Sequence, residues 1–137
     1  MTKKFYVDAC CNRFYELGSY AIVCGEEHYT GLIHGKNLNS GYCELYGIRE
    51  ALYRTKNQNA IIYNDNTCVN NLNLSTERFE KKFKKRRLKD NGLLKEVFIL
   101  YNNYPNVKID LVNRKRVRVA DYLARKTLKE CIKNGRS

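Results

Sequence analysis

The spacing of hydrophobic positions changes several times along this chain, and each change marks an element. Residues 3–10 hold the apolar run Phe5-Tyr6-Val7 and read as a buried strand. Residues 16–25 and 27–36 alternate apolar and polar side chains about a tight link at Gly25-Glu26, which predicts two further strands in an antiparallel meander with the first. Asn39-Ser40-Gly41 supplies a turn and a helix start, and Leu45, Ile48, Ala51 and Leu52 then recur at helical spacing from Tyr42 to about Lys56. Asn57 and Asn59 end that helix, and residues 60–63 form a fourth strand. A helix between two strands implies a crossover, so the fourth strand is expected to run parallel to the first. A short helix follows over 66–74. A basic helical segment over 75–90 comes next, with only Phe79, Phe83 and Leu88 as apolar points. After Asn91-Gly92 a better-packed helix covers 93–104, Pro105-Asn106 turns into a fifth strand over 107–112, and a loop at 113–116 leads to a last helix. That helix carries Val117, Ala120, Leu123, Ala124, Leu128 and Ile132 on one side.

The element order β-β-β-α-β-α-α-α-β-α describes an α/β domain whose sheet is mixed: three antiparallel strands, then parallel crossovers. With 137 residues the chain is read as one domain, 1–137, able to build a single core, with a basic helical protrusion at about 76–90. Met1-Thr2-Lys3-Lys4 leads straight into a strand, with no leader and no stretch of membrane-spanning length. A soluble, intracellular (cytoplasmic) monomer that does not engage a membrane is the expectation. Six cysteines show no C-x-x-C pair, and His28 and His34 lie near no cysteine pair, so the thiols are read as reduced, small core residues.

Charge alters this picture. The net charge is +12, and two segments account for all of it: residues 77–90 carry eight Lys/Arg against three acids, and residues 113–137 carry nine against two. Basic charge gathered into two blocks points to a polyanion-binding surface. The chain also carries four acids in a telling order. Asp8 and Asp65 close apolar strand runs, while Glu44 and Asp121 open amphipathic helices. Each alone has an ordinary explanation: a turn cap, a helix N-terminal charge, or for Asp121 an ion pair with Arg125 at i+4. Carboxylates at the ends of buried strands are costly unless they meet a cation, so the set of four suggests a divalent-metal site assembled across a sheet. Glu16, Glu26, Glu27, Glu50, Asp110 and the two histidines do not fit that pattern.

Several segments together resemble the type 1 ribonuclease H superfamily: Tyr6-Val7-Asp8-Ala9-Cys10, Gly18-Ser19-Tyr20-Ala21-Ile22-Val23, Cys43-Glu44-Leu45, Ile62-Tyr63-Asn64-Asp65-Asn66, and Val112-Asn113-Arg114 through Val119-Ala120-Asp121-Tyr122-Leu123-Ala124-Arg125. The last is similar to the plant and bacterial branch, whose V-x-R loop lacks the histidine of the bacterial housekeeping enzymes. The resemblance spans nearly the whole domain. It implies a five-stranded mixed sheet with helices on both faces and assigns Asp8, Glu44, Asp65 and Asp121 as the catalytic, metal-binding set. Two ions of Mg²⁺ (or Mn²⁺) are the implied cofactors, and an RNA–DNA hybrid is the implied partner. The chain departs from the family in having Ala9 and Cys10 after its first aspartate, and Phe14 near the place of a common asparagine.

Phosphodiester hydrolysis has to activate water and stabilise charge on attacking and leaving oxygens. Two hard cations about 4 Å apart can do both. Asp8 would bridge them, Glu44 and Asp65 would complete one site, and Asp121 the other. Lys81, Lys82, Lys84, Lys85, Arg86, Arg87 and Lys89, with Arg114, Lys115, Arg116 and Arg118, are the candidates for holding phosphates. Asn39, Ser40 and Asn66 are the candidates for reading 2′-hydroxyls. The expected activity is metal-dependent endonucleolytic cleavage of the RNA strand of a hybrid, leaving 5′-phosphate and 3′-hydroxyl ends. The alternatives are a nuclease of the same fold acting on DNA, and a nucleic-acid-binding module without turnover.

Overall fold

A computed structural model describes residues 1–84 and 92–135; the predicted phosphate ligands Lys85, Arg86, Arg87 and Lys89 lie outside the described residues. Five strands form one sheet: β1 (Lys3–Asn12), β2 (Leu17–Cys24), β3 (Glu27–His34), β4 (Ala60–Asn64) and β5 (Val107–Leu111), in the order β3-β2-β1-β4-β5. β1, β2 and β3 pair antiparallel, whereas β4 pairs parallel to both β1 and β5. The meander and the crossover are as the hydrophobic pattern predicts. β1 continues two residues beyond the predicted end. The extra residues, Cys11 and Asn12, pair with Gly18 and Leu17 across the hairpin, so the ladder itself carries the strand past its apolar run.

Among the described residues five helices cover the sheet: α1 (Ser40–Thr55), α2 (Cys68–Leu72), α3 (Thr76–Lys84), α4 (Leu93–Asn102) and α5 (Arg118–Lys133), the last preceded by a 3₁₀ turn at Arg114–Val117. The period-2 alternation of β1 sends Phe5, Val7 and Ala9 into a large core with α1, α2, α3 and α4, where Ile48, Leu52, Ile62, Val97 and Ile109 are fully buried. On the opposite face a small-residue cluster of Ala21, Val23, Ala120 and Ala124 seats α5 against the central strands. The Ser19 hydroxyl donates to the Ala124 carbonyl there at 2.5 Å, satisfying a hydroxyl that is wholly buried.

α1 lies close to the sheet because Gly47 faces it. A Cβ at Gly47 would stand 3.1 Å from Val7 Cγ1 and 3.2 Å from Tyr20 Cβ. One helical turn before that glycine is Glu44, on the same side of the helix. The basic α3 is held by its aromatic residues: the buried Phe79 stacks on Phe98 of α4 with ring centroids 3.8 Å apart, and the half-buried Phe83 packs against the same core. Its Lys81, Lys82 and Lys84 are exposed. Among the described residues, no helix is long and apolar enough to cross a membrane.

Candidate active site

Parallel pairing sets the frame. Tyr6 of β1 stands opposite Tyr63 of β4, so two residues further on Asp8, within β1, comes level with Asp65, the residue just past β4. Glu44 reaches the same point from the second turn of α1. Asp8, Glu44 and Asp65 each offer a carboxylate oxygen, and these oxygens lie within 4.8 Å of one another. Asp8 and Glu44 are buried, and Asp65 is half-buried.

Asn64 ties the three together. Its Nδ2 donates to the Val7 carbonyl and to Glu44 Oε1, both at 3.0 Å, while its Oδ1 accepts from the Asn66 backbone N–H at 2.8 Å. It therefore fixes β1, α1 and the turn after β4 with one fully buried side chain. Sequence reasoning passed over it. The available signal was a polar residue interrupting an apolar strand immediately before an aspartate.

Electrostatics at this point are unfavourable by construction. Burial raises the Asp8 carboxyl to about 7, reinforced by hydrogen bonding from Asp121 and by the charge on Asp65, and opposed by hydrogen bonding with Glu44. Burial together with the neighbouring Asp8 charge raises Glu44 to about 9, and the Asn64 amide offsets only part of this. Without a cation, the pair as a unit therefore gives up its last proton less readily than free carboxyls do. Such a cluster is relieved by a proton or a cation, and its donors are carboxylate oxygens only. The residues present therefore fit a hard divalent cation such as Mg²⁺ or Mn²⁺.

Asp121 lies beside Asp8 but outside the group of three. It sits in the first turn of α5, where its Oδ1 accepts from Arg125 Nε at 2.9 Å, the i+4 pairing that the sequence allows. Asp65 has a cationic neighbour as well, Arg114 Nε at 3.9 Å. Lys115, Arg116 and Arg118 are exposed on the same turn or just past it. Asn39 and Asn66 are committed locally: Asn39 Oδ1 caps α1 by accepting from the Tyr42 N–H at 2.8 Å, and Asn66 Oδ1 accepts from the Cys68 N–H at 2.9 Å. Their carbonyl oxygens thus shape the turns on either side of the carboxylates. Ser40, the first residue of α1, is exposed.

Residues set aside in the sequence fall elsewhere. Glu50 lies 3.6 Å from Arg49, and His28 and His34 are exposed along β3. None of the six cysteines forms a disulfide. Burial pushes the Cys43 thiol up to about 12, which makes it an unreactive packing group beneath Glu44.

No family model and no curated protein matches the chain by sequence. Solved structures do match it closely in shape. The N-terminal RNase H domain of Rv2228c from Mycobacterium tuberculosis, studied as a fusion with maltose-binding protein, superposes with a TM-score of 0.72 at 14% identity, over 98% of this chain and 98% of that one. LC11-RNase H1, from a compost metagenome and solved with an RNA/DNA hybrid, gives 0.71 at 10% identity over 95% and 99% of the two chains. The foamy viral protease-reverse transcriptase in complex with dsDNA gives 0.73 at 16% identity over 92% and 93%. The chain has the ribonuclease H fold. Coverage is nearly complete in both directions, so the shared architecture takes in the whole of the described domain.

Proposed function

We propose that this protein is a metal-dependent endoribonuclease that hydrolyses the RNA strand of RNA–DNA hybrids. The observation that carries the reading is the convergence of Asp8, Glu44 and Asp65 within 4.8 Å, at the end of the parallel β1–β4 pair. Its context is a ribonuclease H fold flanked by exposed basic residues. Asp8, Glu44 and Asp65 would hold a divalent cation, and Asp121 beside Asp8 would complete the place of a second. When bound, such ions lower the pKa of water and neutralise charge on the phosphate oxygens.

The chain's own groups supply the remainder. The Asn64 amide orients Glu44. Lys81, Lys82 and Lys84 on α3, and Lys115, Arg116 and Arg118 before and at the start of α5, offer phosphate contacts that set register without reading bases. Asn39, Ser40 and Asn66 would meet a 2′-hydroxyl, and the side-chain oxygens of the two asparagines are taken up in capping bonds, which leaves their amide nitrogens as the donors for that role. Cleavage by this route leaves 5′-phosphate and 3′-hydroxyl ends.

The deciding experiment is incubation of an end-labelled hybrid, and of the matching DNA duplex, with Mg²⁺, Mn²⁺ or EDTA. Metal-dependent cutting confined to the RNA strand, and lost in Asp65→Asn, is the expected result. Cutting of duplex DNA would move the assignment to a DNA nuclease of the same fold. Salt-sensitive binding with no cutting in either metal would leave a binding module.

A further inference from the structure

Three arginines border the carboxylates, and they are not equivalent. Arg114 spends its charge on Asp65 and Arg125 on Asp121. Arg116 lies within 4 Å of no carboxylate among the described residues, yet it is far from loose. Its guanidinium stands 5.1 Å from the centre of the Tyr63 ring, and Tyr63 stacks on Tyr6 with centroids 5.0 Å apart. The hydroxyl of Tyr6, and then that of Tyr63, hold the Arg116 pKa above the usual arginine value. Lys115 and Arg118, also exposed, stand over no aromatic ring among the described residues.

The result is a solvent-facing cation with an uncompensated charge and a restricted orientation, which is what an anion ligand requires. Its position is also informative. Tyr6 precedes Asp8 by two residues on one face of β1, an offset of about 6.6 Å along the sheet, and Tyr63 on the paired β4 precedes Asp65, the residue just past that strand, by the same two. That offset is comparable to the separation of neighbouring phosphates on one strand.

We propose that Arg116, oriented by Tyr6 and Tyr63, binds a second backbone phosphate, the neighbour of the one held at the carboxylates. This inference rests on the nuclease reading and assigns one part of its substrate contact. Arg116 is the ligand, and the tyrosines are positioning residues that act through it. Arg114 and Arg125 serve instead as internal counterions of the acidic cluster.

Anisotropy with a labelled hybrid in EDTA, across a salt series, tests the ligand role apart from turnover. Arg116→Ala should weaken binding about tenfold near 0.1 M salt. It should also reduce the slope of log K against log salt by about 0.9, with an unchanged melting temperature. Arg116→Lys should restore the slope but only part of the affinity. The Tyr6→Phe/Tyr63→Phe double variant keeps both rings and the stack, so it should keep the salt slope and raise KM about threefold with kcat unaltered. An Arg116→Ala protein with wild-type affinity and slope overturns the inference, as does a double phenylalanine variant with wild-type KM. Wild-type protein that binds no hybrid would instead defeat the nuclease reading, and the inference with it.

Discussion

The acidic cluster has a buried half and a rim, and the two are built on opposite principles. Asp8 and Glu44 are almost wholly enclosed, form no ion pair among the described residues, and are pushed to about 7 and about 9. Asp65 and Asp121 stand nearer solvent, each with its own arginine, at 3.9 and 2.9 Å. The rim is compensated within the chain, so it costs little to maintain. The interior is compensated only in part within the chain, by the Asn64 amide, and the rest falls to a proton or to something that comes from outside. A fold that keeps two carboxylates in that condition is holding an electrostatic cost that ion binding removes.

The sharpest way to break this contrast is Glu44→Gln. It removes the carboxylate with the most strongly raised pKa while keeping an amide that Asn64 can still meet, and hybrid cleavage should fall on the order of 10³-fold or more. Stability should move the other way. A carboxyl whose folded pKa lies above its unfolded value favours folding most fully at acid pH. That advantage is lost as pH rises from about 4.5 toward about 9. In EDTA the wild-type melting temperature should therefore decline across this window and Glu44→Gln should decline less, leaving the variant ahead by on the order of 2 kcal/mol at pH 8 to 9. Added Mg²⁺ should raise the wild-type melting temperature and leave the variant nearly unmoved. A wild-type protein equally stable at pH 5 and pH 9 in EDTA would show that the interior half carries no such cost.

Asn64→Ala probes the seam between the halves. Three hydrogen bonds vanish and the Val7 carbonyl and Glu44 lose a buried donor, so urea unfolding should show a loss of about 2–3 kcal/mol. Mg²⁺ affinity, read by calorimetry, should drop about 10- to 100-fold. The smallest effect belongs to the rim. Arg125→Ala removes an exposed i,i+4 pair and should change stability by less than about 1 kcal/mol. Because it strips a competing cation from Asp121, it should tighten Mg²⁺ binding about two- to threefold at low salt and not at all at high salt.

Much of this architecture was legible in the residues themselves, for physical reasons. The run Phe5-Tyr6-Val7, the alternation through residues 16–36 and the helical spacing from Leu45 to Leu52 each bury a face, and burial leaves a period in the sequence. The antiparallel start and the parallel β4 followed from connection lengths. The three acids that meet were readable because a carboxylate at a buried strand end, or one turn into a helix, is an exception to that period. What was not readable depends on partners distant in sequence. Asn64 acts through Val7 and Glu44, and nothing local distinguishes it from an asparagine that ends a strand. The extension of β1 through Cys11 and Asn12 is decided by pairing with β2 rather than by apolarity. The division of the arginines into those paired with acids and one supported by tyrosines required knowing that Tyr6 and Tyr63 are neighbours.

The close seat of α1 on the sheet has a consequence for how this protein can change. Glu44 reaches Asp8 because Gly47, a turn further on, lets the helix approach Val7 and Tyr20 to within ordinary contact; a methyl group there would need a few tenths of an ångström that only the helix or the strands can yield. The span between two carboxylates is thus a dimension of the hydrophobic core. Mutations that relax or tighten packing around Val7 and Tyr20, however far they lie from solvent, retune the chemistry at the surface, so adaptation of the one cannot proceed without the other.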